Sequence, residues 1–512
     1  MQKELVMFIL AVVAGFFFIQ QQTSVRGYAV ANSDMLFSSD GDDFSDKPAM
    51  QQALITTPFD AERSSLQQQQ PPMQFRSLFN APVTLRLAIP STSSTLILRA
   101  EIASPRTAGS TSAEHFIGYY ATYPGGEFRV YGGGPDGFFG TTDDTGDRSI
   151  QATQPTTPWW PNQAAISAFG DTVAYALSQN PFGLFSYLFA KKPGNDGLIG
   201  LGGDDQIFVA ELFVQGSPGI QHTFGSGNAL DLLSNKVLYS FYETPTLRGY
   251  HVSRHFGPDG VLGNDDILQI VNPDTPVVAP SNMFGYVQIS GCPSFGGIVS
   301  WSLAVPGTLD WITLLVGPGM NGYFEPSSSP TYDDDRYQLG GSGASEMGGQ
   351  SSADGSFFID IFLYPSQGSI INTAAYLYDL RPLGSQNCRL RSTPTSQPVP
   401  LPTPPRTPSG QAPYIQHVDV DGRYVGPQGL VAGSLAVVYT HYLAPAYVTR
   451  VLFRDTGSDG IFLTADDLIR IYDYPPFQTT ADGVRGMQLK ENLVVLIIKR
   501  GELYRLDVIH FA

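Results

Sequence analysis

One short loop recurs along this chain and limits what the chain can fold into. It reads Gly-x-Asp-Gly, with Asp-Asp six to eight residues after its aspartate. The copies are Gly134-Pro135-Asp136-Gly137 with Asp143-Asp144, Gly194-Asn195-Asp196-Gly197 with Asp204-Asp205, Gly257-Pro258-Asp259-Gly260 with Asp265-Asp266, and Gly457-Ser458-Asp459-Gly460 with Asp466-Asp467. A decayed copy is Gly319-Met320-Asn321-Gly322, with Asp333-Asp334-Asp335 further on. A second mark travels with the first. About 20 residues upstream stands a short apolar strand ending in an aromatic, at Tyr175, Tyr239, Trp301 and Tyr439, and at a slightly shorter distance at Tyr119. These aromatics are spaced by 56, 64 and 62 residues, then by 138, which is two periods plus an insertion. Self-similarity at such a period marks a repeat architecture.

Inside one period, 171–232, the residues Thr172–Leu177, Phe185–Ala190, Gln206–Leu212 and Ile220–Phe224 read as four short strands, with the acidic loop between the second and third. Gly 54, Pro 39 and 12 % aromatics supply turns and aromatic-rich strands, and no long stretch has helical periodicity. Four antiparallel strands per period predict an all-β fold, a β-propeller. Repeat starts near 116, 173, 237, 298, 357, 436 and 493 give seven blades, or six if the start at Phe357 is not a true blade. Val83–Ile89 and Thr95–Ile102 read as two strands with no repeat start before them, and Leu493–Lys499 with Leu503–Phe511 as a hairpin. The expectation is that these halves join into one blade, closing the ring and removing two sheet edges.

The flanking segments read differently. Leu5–Ile19 is an apolar run of 15 residues, short for a membrane span, and Ala29-Val30-Ala31 offers a signal-peptidase site. Residues 1–31 therefore read as a signal peptide, with an uncleaved N-terminal anchor as the alternative. No other segment is apolar enough to span a bilayer. Residues 32–80, with Gln67–Gln70 and Pro71-Pro72, read as a disordered linker. The propeller spans 81–512, interrupted by a Pro-rich insertion at 390–414. The net charge of −17 repels phosphate backbones, which excludes nucleic acid as a partner and favours cations or basic protein patches. Cys292 and Cys388 are too few for a disulfide scaffold, and whether they pair is open.

The repeats resemble those of TolB-like bacterial β-propellers. The matching features are the Val-x-Tyr or Val-x-Trp strand (Val173-Ala174-Tyr175, Val299-Ser300-Trp301) and a following hairpin whose loop holds Asp-Gly. The resemblance covers 113–340 and 430–512. It implies a propeller docking to an envelope partner and carries no catalytic residues.

Two chemistries fit the acidic loop. Aspartates with glycines that permit positive φ suit a hard cation, calcium above all, with Asp136, Asp143, Asp144, Asp196, Asp204, Asp205, Asp259, Asp265, Asp266, Asp459, Asp466 and Asp467 as candidate ligands. Asp-Gly is equally a hairpin pair, and aspartates close turns through their own backbone. Trp159-Trp160 are candidate ligand-binding residues, able to stack on a sugar or a partner. His251 and His255 are too far apart along a strand to share a metal. The first reading of function is an exported, non-catalytic interaction module that binds a protein or glycan at the cell envelope, secreted, periplasmic or on the cell surface. The second is a glycosidase or lyase using carboxylates across the central channel, with Asp310 and Glu243 as first suspects. The third is a structural surface protein.

Overall fold

The computed structural model describes most residues between Val83 and Phe511. Residues 1–82 and many connections lie outside the described residues, among them 88–96, 104–113, 135–137, 151–163, 291–297, 305–310, 381–394 and 403–412. The signal, the linker, Asp136, Trp159, Trp160, both cysteines, Asp310 and much of the Pro-rich insertion therefore fall outside it.

β1 (Val83–Arg86) precedes seven sheets. Blade 1 holds β2 (Ile97–Ala103), β3 (Phe116–Ala121), β4 (Glu127–Gly132) and β5 (Gly146–Ser149). Blade 2 holds β6 (Ala164–Phe169), β7 (Thr172–Gln179), β8 (Phe185–Lys192) and β9 (Gln206–Glu211). Blade 3 is built on β12 (Lys236–Thr244) and β13 (Arg248–His255). Two short strands, β10 (Gln221–Phe224) and β11 (Leu230–Leu233), pair on one side, and β14 (Ile267–Ile270) and β15 (Val277–Val278) on the other. Blade 4 comprises β16 (Phe284–Ser290), β17 (Ile298–Ala304), β18 (Trp311–Gly317) and β19 (Asp335–Leu339). Blade 5 comprises β20 (Ser345–Ser351), β21 (Phe357–Pro365), β22 (Ile371–Asp379) and β23 (Thr395–Pro398). Blade 6 comprises β24 (Tyr414–Val425), β25 (Leu430–Leu443), β26 (Ala446–Asp455) and β27 (Leu468–Tyr474). Blade 7 runs β28 (Gly483–Lys490), β29 (Leu493–Arg500), β30 (Leu503–His510) and then β1.

The molecule is an all-β, seven-bladed propeller, and the repeat at Phe357 is a true blade. The first strands β2, β6, β11, β16, β20, β24 and β28 each contact the first strand of both neighbouring blades, so they form the innermost ring. Outer strands such as β5, β14, β19 and β27 are the more exposed. Each of the seven gaps between blades is filled by its own apolar cluster. The aromatic at each repeat start, Tyr119, Tyr175, Tyr239, Trp301 or Tyr439, lies buried in one of them. An aromatic suits that place because it fills a gap wider than one aliphatic chain spans.

The phase of the repeat differs from the expectation. The aromatic strand is the second of its blade, because a first strand of small or alternating residues, such as Ala164–Phe169, precedes it. The acidic loops therefore join strands three and four, not two and three. Gln221–Phe224 does not end blade 2. It pairs with β12 and opens blade 3. Ring closure is also asymmetric. Only β1 joins the C-terminal strands, pairing Val83 with His510 and Arg86 with Asp507, while Ile97–Ala103 goes on to blade 1. The Pro-rich stretch begins as the outer strand β23, where Pro398 is tolerated because one side of the strand needs no partner.

Candidate functional site

The acidic loops have one plan, each residue with its own task. The turn aspartates accept an N–H from two residues on: Asp196 from Leu198 at 2.8 Å, Asp259 from Val261 at 2.9 Å and Asp459 from Ile461 at 2.8 Å. Asn321 does the same for Tyr323 at 2.7 Å. These are Asx-turns, which need only a short side chain with an acceptor oxygen.

The first aspartate of each pair lies against the loop's opening glycine. A Cβ added at Gly194, Gly257, Gly319 or Gly457 would meet the carboxylate of Asp204, Asp265, Asp333 or Asp466 at 2.2–2.4 Å. At Gly134, whose φ is +70°, it would meet Asp143. No other residue allows that approach. Asp204 accepts the Asn195 N–H at 2.7 Å, and Asp466 the Thr464 hydroxyl at 2.6 Å.

The second aspartate closes the loop and ties it to strand three. Asp144, Asp205 and Asp467 accept N–H groups of Gly140, Gly200 and Leu463 at 2.7–2.8 Å, and Asp266 that of Gly263 at 3.1 Å. Three residues ahead of the first glycine stands its side-chain partner. Lys191 meets Asp205 at 2.8 Å, Arg254 pairs with Asp266, Arg454 with Asp467, and the Tyr131 hydroxyl donates to Asp144 at 3.0 Å. Burial pushes the Asp266 carboxyl up, and Arg254 opposes that shift.

A further residue escaped the sequence reading. Five positions after the first glycine an apolar side chain leaves the loop and is buried between blades. Phe139 sits in the cluster between blades 7 and 1, Ile199 between 1 and 2, Leu262 between 2 and 3, Phe324 between 3 and 4, and Phe462 between 5 and 6. Phe462 meets Phe357 of blade 5 edge-on, with ring centroids 4.9 Å apart. The fixed spacing was the available signal. Each loop is thus a clamp that plugs the gap toward the preceding blade. Blade 7 has no such loop, because its third and fourth strands come from opposite ends of the propeller segment.

Calcium was one of two expectations for these loops. Among the described residues, no group of three or more His, Cys, Asp or Glu side chains is placed to hold a metal ion. The turn aspartates and the second aspartates have oxygens engaged with N–H groups of the loop, and the second aspartates also with donors on strand three. Asp143, Asp196, Asp204, Asp259, Asp265 and Asp466 nonetheless remain exposed, so the loop side of the ring is acidic.

A second set of charges lies on the innermost strands and was also missed. Arg99 and Glu101 of β2 pair with each other, and Arg99 Nη1 donates to the Leu230 carbonyl at 2.7 Å. Asp231 of β11 is 3.9 Å from Arg99 and accepts the Ser167 hydroxyl at 3.2 Å. Gln488 of β28 donates to Glu101 and accepts the Ile102 N–H. Asp419 of β24 accepts N–H groups of Val420 and Leu489 at 2.8 and 2.6 Å. Asp421 accepts the Glu491 N–H at 2.9 Å and faces Lys490 at 3.4 Å. Burial raises both Glu101 and Asp419 above the ordinary carboxylate range, opposed by Arg99 in one case and by backbone N–H groups in the other. The signal was strict alternation, Val418-Asp419-Val420-Asp421, which puts both acids on one face of an apolar strand.

Two further candidates stand on β12 and β13, and the side chain of Glu243 lies outside the described residues. His251 is buried in β13 with Nδ1 2.8 Å from the Ser240 hydroxyl, and burial pulls its pKa down to about 3. Glu243 pairs with His222 through the backbone of β12.

No protein-family model matches the chain, and no curated protein matches it. Among solved structures, the chain is similar to Drosophila Semaphorin 2a at 10 % identity and a TM-score of 0.35, covering 78 % of this chain and 72 % of that one. It is similar to the Nup133 β-propeller domain of Vanderwaltozyma polyspora at 8 % identity and 0.36, covering 84 % and 98 %. A third is the subtype N10 neuraminidase-like protein of A/little yellow-shouldered bat/Guatemala/060/2010, at 8 % and 0.31, covering 70 % and 94 %.

Proposed function

We propose that this protein is an exported, non-catalytic propeller that binds a protein or glycan partner at the cell envelope. The observation that carries the reading is how the carboxylates are used. Turn aspartates, second aspartates and the acids of the innermost strands have oxygens bound to the protein's own N–H groups, hydroxyls or cations. A general acid or nucleophile needs an oxygen turned toward substrate, and the buried acids of the axis, Glu101, Asp419 and Asp421, have both oxygens engaged. Such a scaffold is rigid, and a rigid ring with an acidic side suits recognition. The TolB-like resemblance of the repeats points the same way, toward docking at an envelope.

The test is binding against turnover. The full chain is incubated with a panel of polysaccharides while bound ligand and newly released chain ends are both measured. Binding without release is the expected result. Release that Glu101→Gln or Asp419→Asn abolishes would replace the reading with that of a glycosidase or lyase.

A further inference from the structure

The clamp of blade 4 lacks the strand-three donor that the other described loops have, a cation in three of them and a hydroxyl in one. Where the other described loops have Tyr131, Lys191, Arg254 or Arg454, blade 4 has Val316, buried in the apolar cluster shared with blade 3. Asp334 holds the place of the second aspartate and is 9 % exposed. Its Oδ2 accepts the Glu325 N–H at 3.1 Å, and its Oδ1 is buried with no hydrogen-bond partner. The charged neighbours are Glu325 and Asp333 on its own loop and Arg336 on β19. Arg336 is exposed and lies 5.7 Å over the Tyr332 ring. Blade 3 brings Leu233, Leu238 and Val271 to this cluster and sets the His251 ring against Trp301, with centroids 4.8 Å apart; burial pulls His251 down to about 3, so it stays neutral across the range in question. Phe324, the plug of this loop, is the least buried of the five.

We infer that a proton takes the place of the missing strand-three donor, making the blade 4 loop a pH-sensitive joint in the ring. With Oδ1 protonated, the carboxyl sits in its buried place without an uncompensated charge. Once ionised, it puts an unpaired charge beside Glu325 and Asp333 in a site shaped for apolar packing. The direction of titration agrees. Burial, reinforced by the two neighbouring acids and opposed by the Glu325 N–H and Arg336, pushes Asp334 up to about 6 from an ordinary 3.8. The folded state therefore holds a proton that the unfolded chain has released. That contribution to stability is complete below about pH 4 and is lost as pH rises through about 6.

The experiment compares the full chain with Asp334→Asn by thermal melting from pH 4 to 8, with hydrogen exchange of the 318–335 segment as local readout. The expected result is coincident melting at pH 4 and a gap that opens through pH 6. By pH 8 the variant melts about 2 °C higher. Exchange of 318–335, corrected for its intrinsic pH dependence, accelerates above pH 6 in the parent but not in the variant. Exchange of the corresponding 457–467 segment of blade 6 stays level in both. Val316→Arg, which restores the repeat's cation, removes the gap where it folds, and Asp334→Asn decides the matter where it does not. A gap independent of pH, a variant that melts lower throughout, or equal exchange changes in both segments would overturn the inference. Asp467→Asn supplies the reference, since it strands the buried Arg454 at every pH and its loss of stability should not follow a transition near pH 6.

Discussion

The aspartates of the repeated loops fall into three classes that no composition separates. The turn aspartate serves its own backbone, the first of the pair packs on glycine, and the second meets a strand-three donor, a cation in blades 2, 3 and 6 and the Tyr131 hydroxyl in blade 1. Their sensitivities differ accordingly. Asp266→Asn leaves Arg254, 1 % exposed, as an uncompensated buried charge, and chemical denaturation should show a loss of about 3 kcal/mol. Asp259→Asn keeps the Asx-turn oxygen and should change stability by less than about 0.5 kcal/mol. Equal losses at the two positions would mean that the classes are wrong. The repeated Gly-x-Asp-Gly was legible in the sequence, but the division of labour was not. It depends on strand-three cations such as Lys191 and Arg454, which lie outside the repeated loop and vary in identity.

At the scale of the element, the loop plug decides how blades meet. Phe462→Ala removes a ring packed on Phe357 of the preceding blade and should cost about 3 kcal/mol in denaturant titration. The neighbouring Ile461, 48 % exposed, gives the contrast. Ile461→Ala should be close to neutral, and comparable losses would count against the plug. Blade boundaries were the least legible feature at this scale. The aromatic strands Val173–Tyr175 and Val437–Tyr439 dominate the pattern, yet they are second strands. The inner strands hide because Ala-Ala-Ile-Ser-Ala-Phe in β6 has weak alternation, while Val-Asp-Val-Asp in β24 reads as polar until its neighbours are known. Strand starts at 116, 173, 237, 298, 357, 436 and 493 were nonetheless readable to within a residue or two, except at blade 6, where β25 begins at Leu430.

The whole ring is closed by one short strand. β1 contributes four residues to blade 7 against three full strands from the C-terminal end. A variant that begins after Arg86 exposes the edge of β30, so it should melt lower and associate through that edge in light scattering. A monomer with unchanged melting would show that β1 is dispensable. The axis charges tie blades 6, 7, 1 and 3 to one another through Asp419, Gln488, Arg99 and Asp231, which makes the inner ring a polar hub inside an apolar wheel. That the chain is a closed wheel was legible from its period. How the ends share the last blade was not, because two strands, Val83–Ile89 and Thr95–Ile102, competed for one place.

The account rests on the acidic loops being clamps that hold neighbouring blades together. Calorimetry of the parent and of Asp467→Asn, each in chelator and in millimolar calcium, tests it in one set of scans. The clamp predicts that the substitution lowers the melting midpoint by about 4 °C in both solutions and that calcium moves neither protein. A parent stabilised by calcium, with that gain lost in Asp467→Asn, would contradict it and return these loops to cation binding.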